Sequence, residues 1–140
     1  MTLNAHPIKV ARDRSRSSAP TSAPGMCLRE VRECYGVGPL ALDAAGAWAA
    51  AAHKHRERDL EKFPRGVPVF WTGGSHGHGH VAIATGYDAM CWSTDIRRPG
   101  YFDHVPIEEI SDKWGLNLVG WTEDLNGVQV YSAAHWEPAK

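Results

Sequence analysis

The chain has 140 residues, of which 43% are hydrophobic and 22% are charged, and these values fit one ordinary globular domain with a hydrophobic core. Its formal net charge of -1 at pH 7 gives no broad basic field of the kind that binds nucleic acids, so we expect no nucleic-acid partner. No stretch of the sequence approaches the roughly 20 apolar residues that span a bilayer, so we expect no membrane partner.

The first part of the sequence differs in composition from the rest. Residues 1–24 are rich in Arg, Ser and Pro and contain few large apolar side chains, which predicts an extended or disordered N-terminal arm. The arm contains no apolar segment followed by a small-residue cleavage site, so the sequence predicts no secretory signal. We expect the folded domain to occupy residues 25–140.

Two helices are predicted after the arm. The segment CLREVRECYG sets Leu28, Val31 and Tyr35 at helical spacing, which predicts a helix that begins at Cys27 and that glycine ends. We expect Asp43 to be the N-cap of a second helix. That helix is predicted to continue through AAGAWAAAAHKHRER, because Ala has the highest helix propensity.

The sequence after Pro64 favours β-structure, because β-branched and aromatic residues alternate there with a period of two. We predict an antiparallel sheet with strands at residues 67–71, 80–85, 90–94 and 101–105. The segment PIEEISDKWG then predicts a short helix, and LVGW and VQVY predict a strand pair with a tight turn at Asn126-Gly127. This order of elements is an α+β layout.

The three cysteines are Cys27, Cys34 and Cys91, so at least one thiol stays unpaired. On one helix Cys27 and Cys34 would be about 10.5 Å apart, beyond the roughly 7 Å limit for a disulfide. We therefore expect no bridge between them.

A Cys at the start of a helix is a candidate nucleophile. Cys27 begins the first predicted helix, where unpaired backbone N–H groups and the helix dipole favour a thiolate. His80 begins a predicted strand after a glycine-rich segment, and it is the candidate base that takes and returns the proton. On the next strand Ser93 and Asp95 share one side-chain parity, and either can orient the His80 ring. We prefer Asp95, since a carboxylate also stabilises the imidazolium.

This order of residues resembles a known family. A Cys at a helix start, a distant Gly-His-Val on a strand and a polar residue one strand later follow the order of CHAP and NlpC-type papain-like enzymes. More narrowly, the peptidase domain of endolysins from phages of actinobacteria is similar to GMCLREVRECYGV, GVPVFWTGGSHGHGHVAIA, CWSTDIRRPG and KWGLNLVGWTEDLNGV. These segments span roughly residues 25 to 130.

The resemblance implies a papain-like α+β fold, in which N-terminal helices pack on an antiparallel sheet. It implies hydrolysis of the peptidoglycan stem peptide, or of the amide that joins this peptide to muramic acid, without a cofactor. By position, Cys27 becomes the nucleophile, His80 the base and then the acid, and the CWSTD strand the source of the orienting residue. Similar lysins usually carry a helical segment where this chain has its arm.

The implied partner is bacterial peptidoglycan. The implied location is the host cytoplasm with release to the cell wall, or the virion. Trp71 and Trp92 lie on adjoining predicted strands and are candidates to line the substrate groove, with core packing as the competing interpretation.

Two alternatives remain open. A zinc hydrolase can use the alternating imidazoles of His76, His78 and His80, completed by a neighbouring acid or His and with a metal-bound water as nucleophile. A non-catalytic virion or assembly protein can keep the same fold as a scaffold, with residues 1–24 binding a phage structural protein.

Overall fold

The computed structural model describes residues 6–131. The first five residues of the predicted arm and the end of the predicted domain, residues 132–140, lie outside this range. The described residues form an α+β fold with four α-helices, a six-stranded antiparallel sheet and a small hairpin. The helices are α1 (Pro7–Ser15), α2 (Cys27–Tyr35), α3 (Ala44–Ala50) and α4 (Ile107–Trp114). The strands are β1 (Lys54–Arg56), β2 (Pro68–Thr72), β3 (His80–Ala84), β4 (Met90–Thr94), β5 (Phe102–Pro106), β6 (Asn117–Thr122), β7 (Asp124–Leu125) and β8 (Val128–Gln129).

The large sheet has the strand order β1-β6-β2-β3-β4-β5, and both of its faces are covered. On one face, Phe70, Val81 and Ile83 pack against apolar side chains of α1, α2 and α3. On the other face, Trp71 and Ala82 pack in a second core that includes the apolar side of α4. Every residue of β3 is buried for this reason. The sheet therefore places the start of β3 between α2 and α4.

Several predicted elements are confirmed. The first predicted helix is α2, and it ends where Gly36 adopts the left-handed conformation with φ 76°. Asp43 is the N-cap of α3, because its side chain accepts a hydrogen bond from the Gly46 N–H at 2.7 Å. The strand predicted at residues 90–94 is β4.

The prediction of an extended or disordered arm is wrong for residues Pro7–Ser15. Residues Pro7–Ser15 form α1, with proline at the start and Ala11 fully buried. The Arg14 guanidinium donates to the carboxylates of Glu30 at 3.0 Å and Glu33 at 3.1 Å on α2. Partners on α2 therefore stabilise a helix that is too short to be stable alone.

The second predicted helix ends earlier than expected. α3 stops at Ala50, and the basic segment that follows forms β1 instead of continuing the helix. The Asp124 carboxylate accepts the backbone N–H groups of Ala52 at 2.8 Å and His53 at 2.9 Å. These bonds turn the chain away from the helix axis, after which β1 pairs with β6.

The predicted pairing of LVGW with VQVY is also wrong. LVGW belongs to β6, which pairs with β1 and β2 in the large sheet. The tight turn is nevertheless at the predicted place, because Asn126 has φ 49° and Gly127 has φ 78° between β7 and β8. Among residues 6–131, no helix is long and apolar enough to cross a membrane.

Candidate active site

The first candidate side chain is that of Cys27, the first residue of α2. It lines a cleft of about 700 Å³ between α2, the loop before α3 and the start of β3. Cys27, Cys34 and Cys91 are all free thiols, which confirms that Cys27 and Cys34 do not form a disulfide. Cys27 is 8% exposed and lines this cleft.

Two opposing effects set the protonation of this thiol. Burial raises the pKa of Cys27 to about 11, although the backbone of Val81, Leu28 and Cys27 itself acts in the opposite direction and lowers the pKa. The Asp95 carboxylate adds to the rise in pKa, because two nearby negative charges repel each other. The expectation that the helix start yields a thiolate is therefore wrong for the resting protein, in which the thiol is neutral at pH 7.

The second candidate side chain is that of His80, the first residue of β3. It lines the same cleft as Cys27 and is 4% exposed. Gly79 has φ 68°, and a side chain at this position would collide with the carbonyl oxygen of Trp71. Glycine therefore lets the chain enter β3 with the imidazole at the edge of the cleft. Burial lowers the pKa of His80 to about 3, so the imidazole is neutral in the resting protein.

A hydrogen bond to β4 orients the imidazole. His80 Nε2 lies 2.7 Å from Ser93 Oγ, and the Ser93 hydroxyl donates to the carbonyl oxygen of Thr94 at 3.2 Å. In the tautomer that carries its proton on Nε2, His80 donates to the Ser93 oxygen. In that tautomer Nδ1 is unprotonated and is the nitrogen that can take a proton.

The preference for Asp95 as the partner of His80 is corrected by this geometry. Asp95 follows the end of β4 and has φ 69°, so the side-chain alternation of the strand does not extend to it. Its carboxylate accepts the backbone N–H groups of Gly25 at 2.9 Å and Gly100 at 2.6 Å. Asp95 thus holds the loop that leads into Cys27, and Ser93 contacts the imidazole.

The two tryptophans predicted to line the substrate groove, Trp71 and Trp92, pack outside the cleft. Trp71 is fully buried, its indole N–H donates to Ser111 Oγ at 3.0 Å, and its ring centroid lies 5.7 Å from that of His80. Trp92 packs against His104 at 4.9 Å between ring centroids. Neither indole lines the cleft, so the expectation that they bind substrate there is wrong.

Trp114 is the aromatic side chain at the site that the sequence did not single out. It ends α4, is 36% exposed, and its ring meets that of His80 edge-on, 5.0 Å away and at 76°. It also lines a second cavity of about 420 Å³, which shares His78, Gly79 and Trp114 with the cleft. The only sequence signal was an aromatic residue directly before the glycine that ends a helix.

The three alternating histidines do not converge. The His80 ring is directed into the interior and bonded to Ser93, whereas the exposed His78 lies with Nδ1 2.8 Å from Asp43 Oδ2. The His76 and His78 ring centroids are 6.0 Å apart. Over residues 6–131, no group of three His, Cys, Asp or Glu side chains is arranged to hold a metal ion.

Comparisons with known proteins give no relative for the chain. No protein-family model matches it, and no curated protein or solved structure matches it. The chemistry of the cleft therefore rests on the geometry of Cys27, His80 and Ser93.

Proposed function

We propose that the chain is a papain-like cysteine hydrolase that cleaves amide bonds in bacterial peptidoglycan. The observation that carries this proposal is that Cys27 and His80, from a helix start and a strand start, line one cleft. The backbone of Val81, the residue after His80, lowers the pKa of Cys27, and Ser93 lies at Nε2 of the imidazole. These residues supply the groups that thiol acyl transfer needs: a nucleophile, a base and a group that orients the base.

In the proposed first step, His80 Nδ1 takes the thiol proton as the Cys27 sulfur attacks the amide carbonyl carbon. The C–N bond then breaks, the leaving amine takes the proton from Nδ1, and a thioester remains on Cys27. In the second step, His80 takes a proton from water and the hydroxide attacks the thioester carbonyl carbon. The C–S bond then breaks, the carboxylic acid product leaves, and His80 returns the proton to the sulfur. The proton is transferred during the reaction, because both groups are neutral at rest.

The wall substrate is supported by the order of sequence segments described above and by the shape of the site. A cleft of about 700 Å³ that continues into a second cavity suits an extended peptide rather than a single small molecule. Residues Pro7–Ser15 form a helix before Cys27, where similar lysins also carry a helical segment.

One observation favours a second candidate function, a non-catalytic scaffold of the same fold. Burial raises the pKa of Cys27 and lowers the pKa of His80, so forming the thiolate and imidazolium pair costs free energy. A protein that only binds wall peptides or an assembly partner in this cleft would not need that pair.

The experiment that separates these functions measures soluble peptide released from purified actinobacterial walls. Cys27→Ala and His80→Ala are expected to abolish release while the fold is retained, and Cys34→Ala and Cys91→Ala are the matched cysteine controls. Iodoacetamide should inhibit release and EDTA should not. Equal release by wild type and Cys27→Ala would exclude the thiol mechanism, and no release by wild type would favour the scaffold.

A further inference from the structure

The charges on α2 do not balance. Three guanidinium groups lie on or against this helix, those of Arg14, Arg29 and Arg32. The helix carries two carboxylates, those of Glu30 and Glu33. Arg14 lies 3.0 Å from Glu30 and 3.1 Å from Glu33, and Arg29 lies 3.2 Å from Glu33. Both carboxylates are therefore already paired by Arg14 and Arg29, and one positive charge is left over.

That remaining charge belongs to Arg32. Its guanidinium donates to the carbonyl oxygen of Val37 at 3.4 Å. No Asp or Glu of residues 6–131 forms an ion pair with it. Because guanidinium groups offer five N–H donors, most of the donors of Arg32 are open to a ligand.

Arg32 is one of the residues of the cleft wall. It lines the same cleft as Cys27, together with Arg29, which stands one helical turn from it at i, i+3 spacing. Two like charges at this spacing repel each other, and an anion between them removes that repulsion. Asp43 and Asp95 also lie on the cleft wall, but neither is the anion between Arg29 and Arg32. Asp43 contacts His78, and Asp95 accepts hydrogen bonds from backbone N–H groups.

The direction of the cleft assigns Arg32 to one side of the scissile bond. The leaving amine must lie by His80, from which the second cavity continues past Trp114. The acyl part of the substrate therefore runs the other way, along α2. Arg32 lies five residues beyond Cys27, about 7.5 Å farther along the helix axis and about 140° around it, and both residues line the cleft.

We infer that Arg32 binds a carboxylate of the substrate on the acyl side of the scissile bond. This inference rests on the proposed function, because it takes the thioester chemistry of Cys27 to define the acyl side. Guanidinium binds carboxylate through two parallel hydrogen bonds, which a carboxamide of the same shape does not reproduce. The structure thus assigns the site an acidic wall peptide in preference to its amidated form.

The test measures binding rather than turnover, in protein that carries Cys27→Ala. The two probes are L-alanyl-D-isoglutamyl-L-lysine amide and the same peptide with D-isoglutamine, so that they differ in one carboxylate. Calorimetry at constant salt should give a Kd about tenfold lower for the acidic peptide. Adding Arg32→Gln should remove this preference, and Arg32→Glu should reverse it.

Arg58→Gln is the matched control, because it removes the same charge from an exposed arginine away from the cleft. It should keep the tenfold preference. The inference is overturned if the parent binds neither peptide or binds both equally, or if Arg32→Gln retains the preference, or if Arg58→Gln loses it to the same degree. Failure of the proposed function is a separate result, since it is judged by whether Cys27→Ala still releases wall peptides.

Discussion

His80 Nε2 lies 2.7 Å from Ser93 Oγ, and neither residue is more than 4% exposed. A neutral hydroxyl thus occupies the place behind the imidazole where a carboxylate was expected. Ser93 orients the ring and fixes its tautomer, but it adds no negative charge to stabilise an imidazolium. The imidazole therefore stays neutral until a substrate reacts.

Removing the Ser93 hydroxyl should lower kcat by more than the accompanying loss of folding stability explains. Ser93→Ala leaves Nε2 of a buried imidazole without a partner and lets the ring turn, so we expect kcat to fall about 10- to 100-fold. The free energy of unfolding should fall by about 1 to 3 kcal/mol. Wall-peptide release and denaturant unfolding of the same preparations measure the two effects.

Ser111→Ala is the control for this change, because Ser111 Oγ accepts a hydrogen bond from the buried indole of Trp71 on the α4 side of the sheet. It should destabilise the protein by a similar amount and keep its activity. Equal loss of kcat in Ser93→Ala and Ser111→Ala would show that Ser93 acts only through stability.

Asp95 is expected to affect stability and thiol reactivity in opposite directions. Asp95→Asn tolerates the left-handed backbone at this position but offers one acceptor oxygen where the carboxylate accepts from Gly25 and Gly100. The free energy of unfolding should fall by about 1 to 2 kcal/mol. The pKa of Cys27 should fall because the nearby negative charge is gone, so iodoacetamide should label Cys27 faster at pH 8. Slower labelling would contradict the electrostatic account.

Local sequence signals were sufficient for some of the site but not for all of it. The helix start at Cys27 and the strand start at His80 could be predicted, because helical spacing and glycine act over a few residues. The choice between Ser93 and Asp95 could not, because the left-handed conformation of Asp95 is stabilised by contacts with distant Gly25 and Gly100.

The same difference between local sequence signals and long-range contacts explains why the sequence does not predict α1 and β1. The sequence does not predict α1, because a nine-residue helix with a polar sequence is marginal in isolation and the partners of Arg14 lie on α2. The sequence predicts that α3 continues through the residues of β1, because alanine has a high helix propensity. In the structure, hydrogen bonds from the backbone N–H groups of Ala52 and His53 to Asp124 end α3. In both cases long-range contacts outweighed local preference.

Trp114 should control the protonation of His80. Its ring covers one side of the imidazole, so Trp114→Ala admits water and should raise the pKa of His80 from about 3 toward 6.5. Trp114→Phe should keep the lower value because an aromatic edge remains. Proton NMR titration of the imidazole measures both, and an unchanged pKa in Trp114→Ala would show that other residues exclude the water.

The stability of the protein should depend on pH through His80. Its pKa is lowered by burial to about 3 in the folded protein, against 6.5 without burial. Between these values the unfolded chain binds a proton that the folded protein does not, so stability is highest above pH 6.5 and falls as the pH drops.

His80→Gln should remove this contribution. Between pH 6 and pH 4, wild type should lose up to about 1.4 kcal/mol per pH unit more than the variant. Urea unfolding of both proteins across this range gives the comparison. Parallel stability curves would mean that the imidazole is protonated in the folded protein.

The most direct test of the central claim is mass analysis of Cys27 during wall digestion. Protein quenched in acid should carry a peptidoglycan-derived acyl group on the peptide that contains Cys27, as a thioester that hydroxylamine removes. Peptides with Cys34 and Cys91 should be unmodified, and Cys27→Ala should show neither the adduct nor wall-peptide release. Digestion of the wall by Cys27→Ala at the wild-type rate, with no adduct in wild type, would contradict the account.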